Sequence, residues 1–388
     1  MKRNIIFVLL ILLSFVGCTK SIDTIKVQPT TVPVEYKVTK IQEHESKEIE
    51  VEEVFNEVII KSPIEETLPL TMIKKEKIAL VFPSKIVGRY GNDALNTIMA
   101  YSLFRNIDFE IKVYDSQFES YNHISNIFKK IEQDGFKKVI AIFSQNDTVL
   151  NISNLNSFQI YIPTLLRQNS PLKVNNITYG AINYSEQFNH LMKFAQGGYT
   201  EIFDNESISS ILYANLQNKS INLRSKQFIS QQTTNYKPLF ENNRTINNST
   251  LFLNTTVLQS SIILSQLRVY EINPFVVLST QINYNPMILS LSQFEDRKSM
   301  LIANSIGYVD PKLKAIAETL RSDLEYNWVN FSTIVGIESL LFNNQKKYSK
   351  GYDIRDNQVY YETTVYRPAS YSFIKVEQMQ PVFLRETN

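Results

Sequence analysis

The 388-residue chain holds a single cysteine, Cys18. No intramolecular disulfide can form, and a folded body beyond the leader can carry neither a cysteine-based zinc site nor a catalytic thiol. Histidine is almost as scarce: His44 lies in an acidic stretch, and His123 and His190 lie on helical patterns without a second His or Cys at ligand spacing. A zinc site takes three or four such ligands in tetrahedral array, so both read as surface or packing residues. G-x-S-x-G, the nucleophile elbow of hydrolases, is absent, as is G-x-x-x-x-G-K-[ST]. "KIALVFPSKIVGRYGNDALN" (77–96) is tempting as a nucleotide loop through Gly88 and Gly91, but "GRYG" lacks the third glycine of a dinucleotide fingerprint. No pair among the 38 acidic residues is singled out by spacing. Catalysis is therefore not expected, and no cofactor or metal is called for. Neither charge sign dominates: 40 Lys and Arg against 38 Asp and Glu leave +2, without the basic stripe that nucleic acid requires. Gly (10) and Pro (13) are sparse while Asn and Tyr abound, which reads as compositional bias.

What is there begins at the N-terminus. Lys2 and Arg3 precede an apolar run from Ile5 to Val16 broken only by Ser14. The run is shorter than the roughly 20 residues of a spanning helix and has the layout of an export signal. "FVGC" places the cut between Gly17 and Cys18 and resembles a bacterial lipoprotein signal, which implies acylation of the Cys18 thiol and a membrane anchor. Phe15 departs from the Leu usual there. Residues 1–17 are thus expected to be the signal peptide and 18–74 an anchored stalk. The stalk opens with the tether-like "TKSIDTIKVQPTTVPVEYKVTK". "IQEHESKEIEVEEVFNE" (41–57) follows, with seven Glu against one Lys; such blocks stay solvated or act as tails.

From Lys77 short apolar runs alternate with helical stretches. Strand patterns fall at 77–82, 109–115, 137–143, 158–163, 176–182, 200–204, 250–254 and 274–280. "RKSMLIANS" adds another, and a hairpin-like alternation closes the chain. Ile124, Ile127, Phe128 and Ile131 keep helix spacing between two of the strands. Such alternation predicts parallel sheets covered on both faces, and no short repeat is present.

Strand 77–82 followed by P-S-x-x-x-G-x-Y-G and a helix resembles the first ligand loop of type I periplasmic binding proteins, the branched-chain amino-acid receptor group. "VYDSQFE" is similar to that family's second-strand end with its Asp, and "IEQDGFKKVIAIFS" to the approach to its second ligand loop. "LSQLRVYEINPFVVLST" and "NFSTIVGIESLLF" resemble a lipoprotein branch of that fold, the C-terminal domain of the activators of penicillin-binding peptidoglycan synthases. The resemblance covers about 75–345. It implies an α/β fold of two lobes, each a parallel sheet flanked by helices, with a hinge-spanned cleft. Residues 75–173 and 280–345 are expected in lobe 1, and 174–279 and 346–388 in lobe 2. The chain would cross near 172–176, near 280 and near 345–352.

The resemblance makes Ser84, Arg89, Tyr90, Ser144, Asn146, Ser279 and Thr280 candidates for lining the cleft. Ser84 and Tyr90 serve equally as turn residues, Arg89 as an exposed cation or a carboxylate partner, and Asn146 or Asp147 as a helix N-cap. Solute receptors usually carry a Gly-Pro turn after the third strand; Phe143 stands there instead, where only Gly allows close backbone approach. The expected function is a non-catalytic envelope lipoprotein that binds or regulates a partner such as a peptidoglycan synthase. The alternative is a receptor for an amino acid or other small solute serving a transporter.

Overall fold

The computed structural model describes residues 75–106, 109–217, 221–241, 245–344 and 346–376. The expectations for Cys18, the leader and the stalk lie outside them. Among the described residues no helix is long and apolar enough to cross a membrane.

Two seven-stranded sheets form the body. The first takes β1 (Glu76–Phe82), β2 (Phe109–Asp115), β3 (Lys138–Ala141), β4 (Gln159–Ile162) and β5 (Ile177–Tyr179). The second takes β6 (Tyr199–Phe203), β7 (Leu223–Phe228), β8 (Thr250–Asn254), β9 (Val276–Ser279) and β10 (Met300–Asn304). The hairpin β11 (Tyr352–Arg355) and β12 (Gln358–Tyr361) returns to the first sheet, and β13 (Thr364–Pro368) and β14 (Phe373–Lys375) finish the second. The orders are β11-β12-β5-β4-β3-β1-β2 and β14-β13-β10-β9-β8-β6-β7. All pairings are parallel except β11–β12, β10–β13 and β13–β14.

Burial on both faces explains the strands' continuous apolar runs. In β1, Ile78, Leu80 and Phe82 point into one core with helices α1 (Ser84–Arg105), α6 (Pro311–Thr319) and α7 (Trp328–Phe342). Ala79 and Val81 point into the other, against Ile124, Phe128 and Ile131 of α2 (Tyr121–Gln133). The second sheet repeats this. Leu251 and Leu253 meet Ile263 and Leu267 of α5 (Val257–Val269), while Phe252 meets Phe188 of α3 (Tyr184–Leu191) and Leu212 of α4 (Glu206–Gln217). Asn does much of glycine's work in this glycine-poor chain. Among the described residues ten non-glycine residues have positive φ and six of them are Asn, including the caps after α1 (Asn106, φ 49) and α7 (Asn343, φ 51). Asn tolerates the left-handed region best among residues with a side chain.

The lobe boundaries need correction. β5 pairs with β4, so the first passage lies at 180–183 rather than 172–176. β10 pairs in parallel with β9, which puts 300–304 in the second lobe and the second passage at 305–310. β12 pairs with β5, so 352–361 belong to the first lobe and the third passage falls at 362–363. Each crossing comes later than expected, because an apolar strand pattern carries no mark of which sheet it joins.

Candidate functional site

The segments after β1 and β3 of the first sheet carry five of the seven residues expected to line a cleft, and the end of β9 in the second sheet carries Ser279 and Thr280. β1 is followed by Pro83, and α1 begins at once at Ser84, so the expected open loop is the first turns of a helix with one non-helical residue, Val87 (φ −126°, ψ 26°). Gly91 lies over the end of β1: a Cβ there would come 2.3 Å from the Phe82 ring. Its missing side chain makes room for the Phe82 ring.

Ser84 is fully engaged. Its N–H donates to Asp115 Oδ1 at 3.0 Å and its hydroxyl to Oδ2 at 2.7 Å, while Gln117 N–H donates to Oδ1 at 2.7 Å. Burial pushes the Asp115 carboxyl up, but the Ser84 hydroxyl and the two N–H groups together outweigh it and hold the group below its usual range.

The loop after β3 repeats the arrangement. Ser144 N–H and Oγ both donate to Glu119 Oε1 at 2.7 Å, and Gln145 N–H donates to Oε2 at 3.0 Å. Thr148 Oγ1 donates to Oε2 as well. The Glu119 side chain is buried with this set of donors around it. Phe143 is buried in the core, and Thr164 accepts from its N–H at 3.2 Å and donates to its carbonyl at 2.6 Å. The backbone that would close on a ligand is thus closed on Thr164. Asn146 opens a 3-10 helix (Asn146–Asn151) with Gln145 at the N-cap position and no side-chain cap bond, so neither Asn146 nor Asp147 is the N-cap that the sequence suggested.

The remaining candidates are scattered. Arg89 is exposed and lies one turn from Asp93, whose carboxyl it stabilises against the effect of burial. Tyr90, 46% exposed, faces Tyr184 at the start of α3 in the other lobe; burial and then the Tyr90 hydroxyl push the Tyr184 phenol up. Ser279 and Thr280 are fully buried. Ser279 Oγ donates to the Leu253 carbonyl at 2.7 Å and accepts from Asn283 Nδ2 at 2.8 Å. Thr280 Oγ1 has no hydrogen-bond partner among the described residues.

The lobes meet through residues the sequence did not single out. Tyr326 belongs to the turn before α7, which Asn327 ties to α1 through Asp93 at 3.3 Å. Its ring enters the second lobe, 5.5 Å from Tyr284 and 6.2 Å from Phe373. Tyr284 in turn lies 5.1 Å from Tyr366. Burial, then the Glu325 carboxylate, push the Tyr326 phenol up to about 12. Beside the passages a buried amide network joins three elements. Gln187 Nε2 donates to Gln281 Oε1 at 3.0 Å and to Ser305 Oγ at 2.8 Å, and Gln281 N–H donates to Gln187 Oε1 at 2.9 Å. A polar cavity of about 210 Å³ opens next to it, lined by Arg167, Glu186, Ser305 and Tyr360 among others, and by none of the seven candidates.

No protein-family model matches the chain, and no curated protein matches it. Solved structures do. A protein from Rhodospirillum rubrum assigned to branched-chain amino acid ABC transport is 11% identical, with a TM-score of 0.60 over 78% of this chain and 100% of its own. The body has the type I periplasmic-binding-protein fold. The substrate-binding protein LivJ from Streptococcus pneumoniae, in complex with isoleucine, shares this binding-protein fold at 11% identity and a TM-score of 0.54, over 78% and 100% of the two chains. So does the C-domain of LpoA from Haemophilus influenzae, a regulator of PBP1A, at 10% identity and a TM-score of 0.51, over 78% and 100%. These neighbours are binding or regulatory proteins. In this chain, Ser84 and Ser144 are both held by internal carboxylates.

Proposed function

We propose that the chain is a non-catalytic periplasmic lipoprotein, anchored through Cys18, whose body binds and regulates an envelope protein such as a peptidoglycan synthase. One observation carries the reading. Ser84 and Ser144, at the loop positions where the resemblance puts ligand contacts, each give both their N–H and their hydroxyl to Asp115 or Glu119. A receptor serving a transporter would need those donors free for its solute. The neighbour that regulates PBP1A has the same fold and supplies the partner class. Adding the full-length chain to peptidoglycan synthases of the same cell, with glycan polymerisation and cross-linking as readouts, tests this. A saturable change in rate is expected, and rates unaffected by the chain overturn the reading. The anchor has its own test: fatty-acid label on the chain should vanish in Cys18→Ala, and its persistence would refute acylation at Cys18.

A further inference from the structure

A basic and aromatic surface lies on the first lobe where α1 and α7 finish. Arg105, the last residue of α1, is stacked on Phe342 at 5.4 Å and on Tyr348 at 4.8 Å. In the segment after α7, Lys347 lies over Phe342 at 5.7 Å, Lys346 over Tyr352 at 5.3 Å and Lys350 over Tyr308 at 5.8 Å. The three lysines are exposed, and so is Tyr308, at 52%. Lys346 lies 3.8 Å from Asp353, which also pairs with Arg355. Among the described residues Arg105, Lys347 and Lys350 form no ion pair, so their charge is left uncompensated.

The segment is held from beneath. Glu338 of α7 is fully buried and accepts from Tyr348 N–H at 2.7 Å, Ser349 Oγ at 2.7 Å and the Tyr352 hydroxyl at 3.1 Å. A buried carboxylate is costly unless it is hydrogen-bonded in this way. Lys350 N–H donates to the Tyr308 carbonyl at 2.9 Å. Gly307 leaves room for the Lys350 carbonyl, which would lie 1.9 Å from a Cβ there. The position matters as much as the charge. β2 is parallel to β1, so α1 returns along β1 and brings Arg105 to the end of the sheet where β1 begins. Residues 18–74, through which the anchor reading tethers the chain, join the body at that end.

We propose that this face of the first lobe docks on an anionic phospholipid bilayer, with Arg105, Lys347 and Lys350 meeting headgroup phosphates and the Tyr308 and Tyr348 rings entering the headgroup layer. Lysine stems and tyrosine rings are apolar with a polar tip and suit such a boundary. An acidic protein would meet the same charges, but aromatic rings beneath the cations and a place beside the tether favour lipid. The placing rests on the anchor reading; the binding does not, and is measured without an acyl chain.

The test is co-sedimentation of residues 18–388 carrying Cys18→Ala with vesicles of phosphatidylethanolamine and phosphatidylglycerol, against vesicles of phosphatidylcholine alone. The chain should sediment with the anionic vesicles only, less so as salt shortens the reach of the charges. Each lysine near an anionic surface is worth about fivefold, so the triple variant Lys346→Ala, Lys347→Ala, Lys350→Ala should bind about tenfold or more weakly. It keeps the backbone bonds of the segment and should melt like the parent. A charge-matched triple in the second lobe, Lys193→Ala, Lys237→Ala, Lys298→Ala, should bind as the parent does. No sedimentation, equal binding to both vesicles, or equal losses in the two triple variants overturns the proposal. So does binding of polyglutamate without binding of anionic vesicles, which would mark the face as one for an acidic protein.

Discussion

Ser144 and Glu119 are joined twice: the serine's N–H and its hydroxyl both lie 2.7 Å from the same carboxylate oxygen. A hydrogen bond to a charged group contributes about 1.5–3 kcal/mol, so Ser144→Ala should lower stability by an amount in that range. Glu119→Ala strips the acceptor from Ser144, Gln145 and Thr148 together and should cost more, about 2–4 kcal/mol. Urea midpoints measure both. Acetate should restore part of the loss in Glu119→Ala and do nothing for the parent, because the emptied loop is a nest for a carboxylate.

Asp115 makes a prediction about pH. Its folded-state value lies below the ordinary one, so its contribution is fully present above the unfolded value near 3.9 and is lost as pH falls through the lower folded value. Asp115→Asn should therefore weaken the protein at neutral pH and flatten the acid limb of its stability curve. Melting temperatures from pH 7 to pH 3 would show it, and parallel curves for parent and variant would contradict it.

The strands were legible in the sequence because a parallel sheet covered on both faces demands unbroken apolar runs. β2 and β8 fall at the predicted residues, and β1, β3, β4 and β9 within a few. β7 was not legible: "LRSKQF" lies at the sheet edge, largely exposed, and its charges and amides conceal it. The early start of α1 escaped because Pro83 and two glycines read as a turn, although proline before a helix and glycine against Phe82 suit a helix as well. For the site, "VYDSQFE" carried the needed signal in Asp115 and Glu119, but only folding puts them against serines 31 and 25 positions away. Tyr326 was invisible for the same reason, since its partners come from the far side of the cleft.

Tyr326 should behave as a pin between the lobes. Aromatic pairs contribute about 0.5–1.5 kcal/mol each beyond burial, and Tyr326→Ala loses its contacts with Tyr284 and Phe373. The distance between spin labels at Lys129→Cys in the first lobe and Ser210→Cys in the second, in a Cys18→Ala background, should broaden in that variant. A distribution identical to the parent's would show that the ring does not hold the lobes together.

Gly91 separates packing from ligand approach. A Cβ 2.3 Å from the Phe82 ring is overpacking, worth about 1–3 kcal/mol of destabilisation. Gly91→Ala should unfold at lower urea, and Phe82→Leu in the same chain should relieve part of the loss. Unchanged stability in Gly91→Ala would mean that the close approach to Phe82 is not what requires glycine.

The central claim is that Ser84 and Ser144 serve the fold while the body works on a protein partner. The most direct measurement compares the parent with a Ser84→Ala, Ser144→Ala double variant, kept well below its melting temperature, in the same peptidoglycan synthase assay. The account predicts that the parent changes the synthase rate and that the double variant, though less stable, does so to the same maximal extent. A parent that leaves the synthase unaffected but binds a small solute, with binding abolished in the double variant, would contradict it.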